Sequence, residues 1–160
     1  MLNIPVGYPT PSQEADIVKS TTTNVKVELQ PILSSAEVLR LQELVRGVPV
    51  ANDVVDYAVA IANCSRPPSG TKKNSFGDKQ VSEIQKYIRY GASPRASQYL
   101  ILGAKALAIL KGRFHVDFED VKTIATSVLR HRLILNFHAR SDGLDSEEII
   151  SRILTQVRIK

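Results

Sequence analysis

The chain has 160 residues, of which 43% are hydrophobic, with a formal net charge of +5 and one cysteine. This length allows one domain with a buried core, and no apolar run approaches the roughly 20 residues of a membrane-spanning helix. A lone cysteine excludes an internal disulfide and favours the reducing cytoplasm, while the modest charge permits phosphate or acidic partners without indicating nucleic acid.

The chain begins with a predicted extended arm and a first helix. The arm is LNIPVGYP, where two prolines and a glycine exclude a helix. Thr10 and Gln13 have the spacing of a capping box, which predicts a helix over QEADIVKS. The β-branched stretch TTTNVKVELQPIL that follows is typical of a connector.

The next two helices are also predicted from their caps. Ser34 and Glu37 form a second capping box ahead of AEVLRLQELVR. Asn52 is a suitable cap for DVVDYAVAIANC, which a pair of prolines ends.

A loop separates this part from the most apolar helix. Residues 69–80 are small, polar and glycine-containing, which predicts a surface loop. The segment VSEIQKYIRY after them is ambiguous and allows a short helix. PRASQYLILGAKALAILK is apolar on almost every side and ends at Gly112. It is therefore predicted as the central helix of a bundle.

Two more helices complete the predicted fold. Asp117 and Asp120 open FEDVKTIATSVLRHR, whose last turn is basic, as the helix dipole favours. Asp145 and Glu148 open EEIISRILTQV. Because helix follows helix over short links, the predicted fold class is all-α, a helical bundle preceded by a short extended N-terminal arm.

Arg95 has the wrong charge for its place in the central helix. Ser93 as cap and Pro94 as first residue put Arg95 in the first turn, where a cation is unfavourable by roughly 0.3–1 kcal/mol. A guanidinium beside free helix amides suits a phosphate group, and Gly91 lets the backbone approach closely. The predicted phosphate site is Gly91, Ala92, Ser93, Pro94 and Arg95. The alternative is that Arg95 pairs with a surface carboxylate or is solvated.

Other reactive residue types carry less information. Cys64, His115, His131 and His138 lack metal-ligand spacing, so a buried or incidental role is predicted for each. A basic bias precedes the central helix, and we predict a solvated loop or, alternatively, contacts with an acidic client or neighbouring subunit. The basic residues concerned are Arg66, Lys72, Lys73, Lys79, Lys86 and Arg89.

Several segments at matching spacing resemble the C-terminal helical lid of the MoxR family of AAA+ ATPases. The resemblance covers nearly the whole chain. Its segments are VGYPTPSQEADIV, ILSSAEVLRLQELVRGVPV, VVDYAVAIANCSRPP, YGASPRAS, AKALAILKGRFHVDFEDVK, VLRHRLIL and DGLDSEEIISRIL.

The resemblance implies a fold, a site and partners. It makes residues 1–33 the junction with an ATPase core plus a connector, and residues 34–160 the helical lid. The arginine of GASPRA, here Arg95, is the family's sensor-2 residue, which reaches the γ-phosphate of ATP. ATP and Mg²⁺ are the implied cofactors. The implied partners are the core of the same polypeptide, copies of the chain in a homo-oligomeric ring, a hexamer, and a von Willebrand A-domain protein, with chaperone-like remodelling as the output.

The chain lacks the parts that would let it hydrolyse ATP alone. It has no G-x-x-x-x-G-K-[ST] phosphate loop and no apolar strand ending in paired acids for magnesium. We therefore expect a domain of a longer protein. The alternative is a stand-alone basic helical module that binds nucleic acid or protein, which the dispersed basic residues and the apolar central helix disfavour.

Overall fold

A computed structural model of the chain describes residues 1–24, 29–67 and 83–157. Within them the fold is mostly helical, which confirms the all-α prediction. In chain order the elements are α1 (Pro11–Thr21), α2 (Ser35–Gly47), α3 (Asn52–Cys64), β1 (Ile88–Tyr90), α4 (Pro94–Leu110), α5 (Phe118–Leu129), β2 (Ile134–Leu135), α6 (Phe137–Ser141) and α7 (Ser146–Gln156). The loop predicted at residues 69–80 lies outside the described residues.

Most helices start and stop within two residues of the prediction. The end of α5 is a correction, because this helix stops at Leu129 and its last turn contains none of the basic residues that were predicted there. The capping boxes at Thr10, Ser34 and Asp117 are all formed, with each side chain accepting a bond from the helix backbone. Asn52 is a correction, because it is the first residue of α3, and Ala51 before it offers no side-chain cap. The missing cap costs little stability, because Asp53 places an acidic side chain in the first turn of α3, where it interacts favourably with the helix dipole.

Gly112 ends the central helix α4, as predicted. Its φ of +71° is a conformation that glycine adopts without a steric cost. The amides of Gly112 and Arg113 then bond back to the carbonyls of Ile109 and Ala108, both at 2.8 Å. These two bonds satisfy carbonyls that the helix end would leave unpaired.

Helix α4 lies at the centre of the bundle. It packs against α2, α3 and α5, and α5 also packs against α3 and α7. Leu100, Ala104 and Ala108 on α4 have no exposed surface. The apolar character of α4 therefore results from burial on several sides, as the sequence predicts.

A small antiparallel sheet was not predicted. Within the ambiguous segment VSEIQKYIRY, residues 83–85 form a helical turn, and β1 follows and pairs with β2, with Ile88 opposite Leu135. Ile88 is buried in the core. Strands this short carry too little alternation to be recognised from sequence, because their pairing depends on a partner far along the chain.

The N-terminal part of the chain exposes an unusual amount of apolar surface. No residue of α1 or α2 is buried, and the first buried residue among those described is Val48. We call this part, residues 1–24 and 29–47, the N-terminal apolar surface. Its exposed large hydrophobic residues are Met1, Leu2, Ile4, Val6, Tyr8, Ile17, Val18, Leu29, Ile32, Leu33, Val38, Leu39, Leu41 and Leu44.

The arm is hydrogen-bonded to the bundle near the end of α5. The amide of Asn3 donates to the carbonyl of Ser127 at 2.8 Å.

No helix in the described residues has the length and apolar character needed to cross a membrane.

Candidate functional site

Arg95 lies on the surface at the start of α4. Arg95 is the second residue of that helix and is exposed to solvent. Within residues 1–24, 29–67 and 83–157, its side chain makes no hydrogen bond or salt bridge. Of the two alternative interpretations, an ion pair with a surface carboxylate is not found in the part of the chain that the structure describes, whereas the exposed side chain is consistent with a solvated arginine.

The start of α4 is left open to an anion. Ser93 is the N-cap residue, as predicted, but its side chain accepts no capping hydrogen bond. The first turn of α4 contains no acidic residue, whereas the first turns of α1, α2, α3, α5 and α7 each contain at least one. The amides and the guanidinium at this helix start therefore meet no negative group from their own turn.

The five predicted site residues divide into two groups. Ser93, Pro94 and Arg95 are exposed, whereas Gly91 is half-buried and Ala92 is 1% exposed. Only the first group is fully exposed to solvent, where a phosphate could reach it. The second group faces the end of α3.

Gly91 is close to another part of the backbone. An ideal Cβ on Gly91 would lie 2.2 Å from the carbonyl oxygen of Ser65 and 2.6 Å from the Cα of Arg66. The sequence suggested that a ligand approaches this glycine. The structure supplies a different reason, since the chain itself fills the space beside it.

Ser65 and Arg66 hold the loop that precedes α4. Ser65 Oγ accepts from the amide of Ala92 at 3.1 Å and donates to the carbonyl of Ala62 at 2.6 Å. Arg66 Nε donates to the carbonyl of Ala92 at 2.8 Å, and its Nη1 donates to Asn63 Oδ1 at 2.6 Å. Both backbone polar groups of Ala92 are thus bound by neighbouring residues of one short segment.

These two residues were not predicted as part of the site. Arg66 was grouped with the basic residues of a solvated loop, but its guanidinium is partly buried and hydrogen-bonded. The only signal in the sequence is the position of Ser65 and Arg66 directly after a helix. Their partner Ala92 is more than 25 residues away along the chain.

A second arginine, Arg132, follows the end of α5 and contacts α4 one helical turn after Arg95. The guanidinium of Arg132 lies over the ring of Tyr99, 5.1 Å from its centroid, and its Nε donates to the carbonyl of Val128 at 2.9 Å. Tyr99 follows Arg95 by four residues, so the two side chains share a face of α4. Arg132 thereby satisfies a carbonyl at the end of α5 and brings positive charge near the same face.

The cysteine and the histidines form no reactive site in the described part of the chain. Burial raises the pKa of the Cys64 thiol to about 11, which keeps it protonated near neutral pH. The histidines His115, His131 and His138 are exposed. Among the described residues, no group of three or more histidine, cysteine, aspartate or glutamate side chains could hold a metal ion.

Comparison with known proteins identifies relatives over the whole chain. Residues 81–153 match the family model of the AAA lid domain. The chain is 34% identical over 159 residues to chaperone MoxR1 of Mycobacterium tuberculosis, covering 99% of this chain. It is 26% identical over 161 residues to YeaC of Bacillus subtilis, an uncharacterized protein, again covering 99% of this chain.

The fold has a counterpart among solved structures. It aligns over 100% of its length with the crystal structure of a proposed ATPase from Cytophaga hutchinsonii, with a TM-score of 0.82 and 30% identity. The chain spans less than half of each of these proteins: 40% of MoxR1, 45% of YeaC and 46% of the crystallised chain.

Proposed function

We propose that this chain, a lid domain of the MoxR family of AAA+ ATPases, contributes Arg95 to an ATP site whose other parts lie elsewhere in a longer protein. The observation that carries the proposal is the exposed Arg95 at the start of α4, where no side chain caps the helix. A helix start without a capping group and with a guanidinium in its first turn suits phosphate oxygens. Arg95 would act as the sensor-2 residue, contacting the γ-phosphate.

A contact to the γ-phosphate would couple nucleotide state to lid position. Arg95 can bind that group only while the triphosphate is intact, so the interaction differs between the ATP and ADP states. Since α4 packs against α2, α3 and α5, a pull on its first turn would act on the whole bundle. We propose that hydrolysis in this way moves the lid.

The exposed side chains of the N-terminal apolar surface are consistent with an ATPase core that packs against it in the longer protein. Its exposed aliphatic side chains, Val6 at 91% and Ile32 at 95%, would be unfavourable in water over so wide an area. The relatives have more than half of their length outside the matched region. We propose that residues 1–33 join and contact an ATPase core and that residues 34–160 form the lid.

The remaining parts of the mechanism belong to the longer protein. The core would hold ATP and Mg²⁺ through a phosphate loop and acidic residues. Copies would assemble into a homo-oligomeric ring, a hexamer, in the cytoplasm, and its motion would activate or remodel other proteins, with a von Willebrand A-domain protein as a partner. The name of the relative MoxR1, a chaperone, supports this output.

ATP hydrolysis by the longer protein tests the proposal. Arg95→Ala is expected to lower turnover by about 10³–10⁵-fold, the effect of removing an arginine that contacts a transferring phosphoryl group. Arg89→Ala is the matched control, because Arg89 is an exposed arginine nearby that stacks on Tyr90, at 5.4 Å from its ring centroid. Turnover at the wild-type rate in Arg95→Ala would overturn the assignment.

A further inference from the structure

We propose that Arg66 is a positioning residue for Arg95. It would hold in place the loop at residues 91–93, from which α4 starts. The position of this loop sets the direction in which the Arg95 side chain points from the surface. This inference rests on the proposed function of Arg95. Arg66 itself would touch no nucleotide.

Arg66 is anchored at two points. Its Nε donates to the carbonyl of Ala92 at 2.8 Å and its Nη1 to Asn63 Oδ1 at 2.6 Å. Two donors of one planar guanidinium are therefore bound to two separate elements, α3 and the loop before α4. Such a planar fork loses little freedom for each further bond, so it is a suitable rigid link.

The loop before α4 has few ways to move. Ser65, which has no exposed surface, binds the amide of Ala92 while Arg66 binds its carbonyl. On the other side, the backbone of Ser65 and Arg66 lies against Gly91. The peptide groups on both sides of Ala92 are therefore held to the end of α3, three residues before Arg95.

The first turn of α4 is packed on one side only, through Ala96, which is buried in the core. Ser93 makes no side-chain capping bond, and the turn contains no acidic side chain to hold the helix end. The position of the exposed start of the turn, where Ser93, Pro94 and Arg95 lie, then depends on what holds residues 91–92. A displacement of about 1 Å in a group that binds a reacting phosphate can cost on the order of 10²-fold in rate.

The charge of Arg66 also suits its place. It follows the C-terminal end of α3, which carries partial negative charge, so a cation there is favourable. Because Arg66 is only partly buried, water can reach the Ala92 carbonyl once the side chain is removed. We therefore expect truncation of Arg66 to affect the geometry of the site more than the stability of the fold.

A double-mutant cycle in the longer protein tests the proposal. Arg66→Ala is expected to lower single-turnover ATP hydrolysis by about 10–100-fold in the wild-type background. In the Arg95→Ala background the same change is expected to have less than about a twofold effect, because the residue it positions is absent. Arg66→Lys, which keeps one donor for Ala92, is expected to restore part of the rate.

The outcomes separate this inference from the proposed function. If Arg66→Ala slows hydrolysis equally in both backgrounds, or in neither, Arg66 does not act through Arg95 and the positioning role is wrong. If Arg95→Ala alone leaves hydrolysis unchanged, the proposed function fails first. Should Arg66→Ala fail to fold, Asn63→Ala removes only the second anchor, and a rate that still falls in an Arg95-dependent way supports the proposal.

Discussion

The carbonyl oxygen of Ser65 lies where a side chain at position 91 would begin. An ideal β-carbon on Gly91 would be 2.2 Å from that oxygen, a separation that real β-carbons do not show. The end of α3 and the loop before α4 thus meet backbone to backbone. This contact places the loop that leads into the candidate phosphate site against a buried serine.

Gly91→Ala is expected to destabilise the chain. The new methyl group would force backbone atoms apart, since the nearest neighbours belong to the main chain of Ser65 and Arg66, and overpacking of this kind costs about 1–3 kcal/mol. Chemical denaturation followed by circular dichroism measures the free energy of unfolding. Gly47→Ala is the control, because nothing lies within 4 Å of its added carbon. Equal stabilities for the two variants would contradict the close contact.

Stability at acidic pH should depend on Asp120. Burial disfavours its charge, but hydrogen bonds from Arg113, the Asp117 amide and Lys111 prevail and hold the Asp120 pKa at about 2. Because this lies below the ordinary value of 3.8, the group stabilises the folded state fully above about pH 5 and loses that contribution as the pH falls towards 2. The contribution is on the order of 2 kcal/mol.

Asp120→Asn provides the measurement. The free energy of unfolding of the parent should fall between pH 5 and pH 2 more steeply than that of the variant, which has no carboxylate to protonate at this position. At pH 7 the variant should be less stable by about 1.5–3 kcal/mol, the range for a hydrogen bond to a charged group. Parallel curves for both proteins would show that Asp120 is not held in its charged form by the fold.

Arg95→Ala should leave the 160-residue chain at least as stable as the parent. The side chain is exposed, and a cation in the first turn of a helix is unfavourable, so its removal is expected to stabilise the fold by about 0.3–1 kcal/mol. Thermal unfolding of the variant beside Arg89→Ala checks this, with Arg89→Ala expected within about 0.5 kcal/mol of the parent. A loss of more than about 1 kcal/mol in Arg95→Ala would assign the residue a structural role.

Part of the candidate site is readable from the sequence alone. Ser93 and Pro94 mark the start of α4 within a few residues, and that start decides that Arg95 lies in a first turn. The sequence does not predict that Gly91 and Ala92 pack against the end of α3. This packing depends on Ser65 and Arg66, whose hydrogen bonds to Ala92 join residues 27 and 26 positions apart.

Asp120 shows the same division within a single residue. The sequence correctly predicts that Asp117 and Asp120 begin the helix, and the structure joins them by a capping-box bond over three positions. The complete burial of Asp120 and its ion pairs with Arg113 and Lys111 follow from how the loop after α4 folds back over the start of α5. The local pattern therefore predicts the cap but not the buried charge.

The sequence by itself determined the six longer helices, their order and the central place of α4, because caps, glycine stops and apolar periodicity act over three or four residues; it did not predict the short helix α6. It also determined that Arg95 lies in a first turn. The tertiary structure alone decided which residues bind the loop before that turn, how β1 pairs with β2, and which side chains of the N-terminal apolar surface stay exposed. Those outcomes depend on contacts between residues far apart in the chain, whose formation requires the packed bundle.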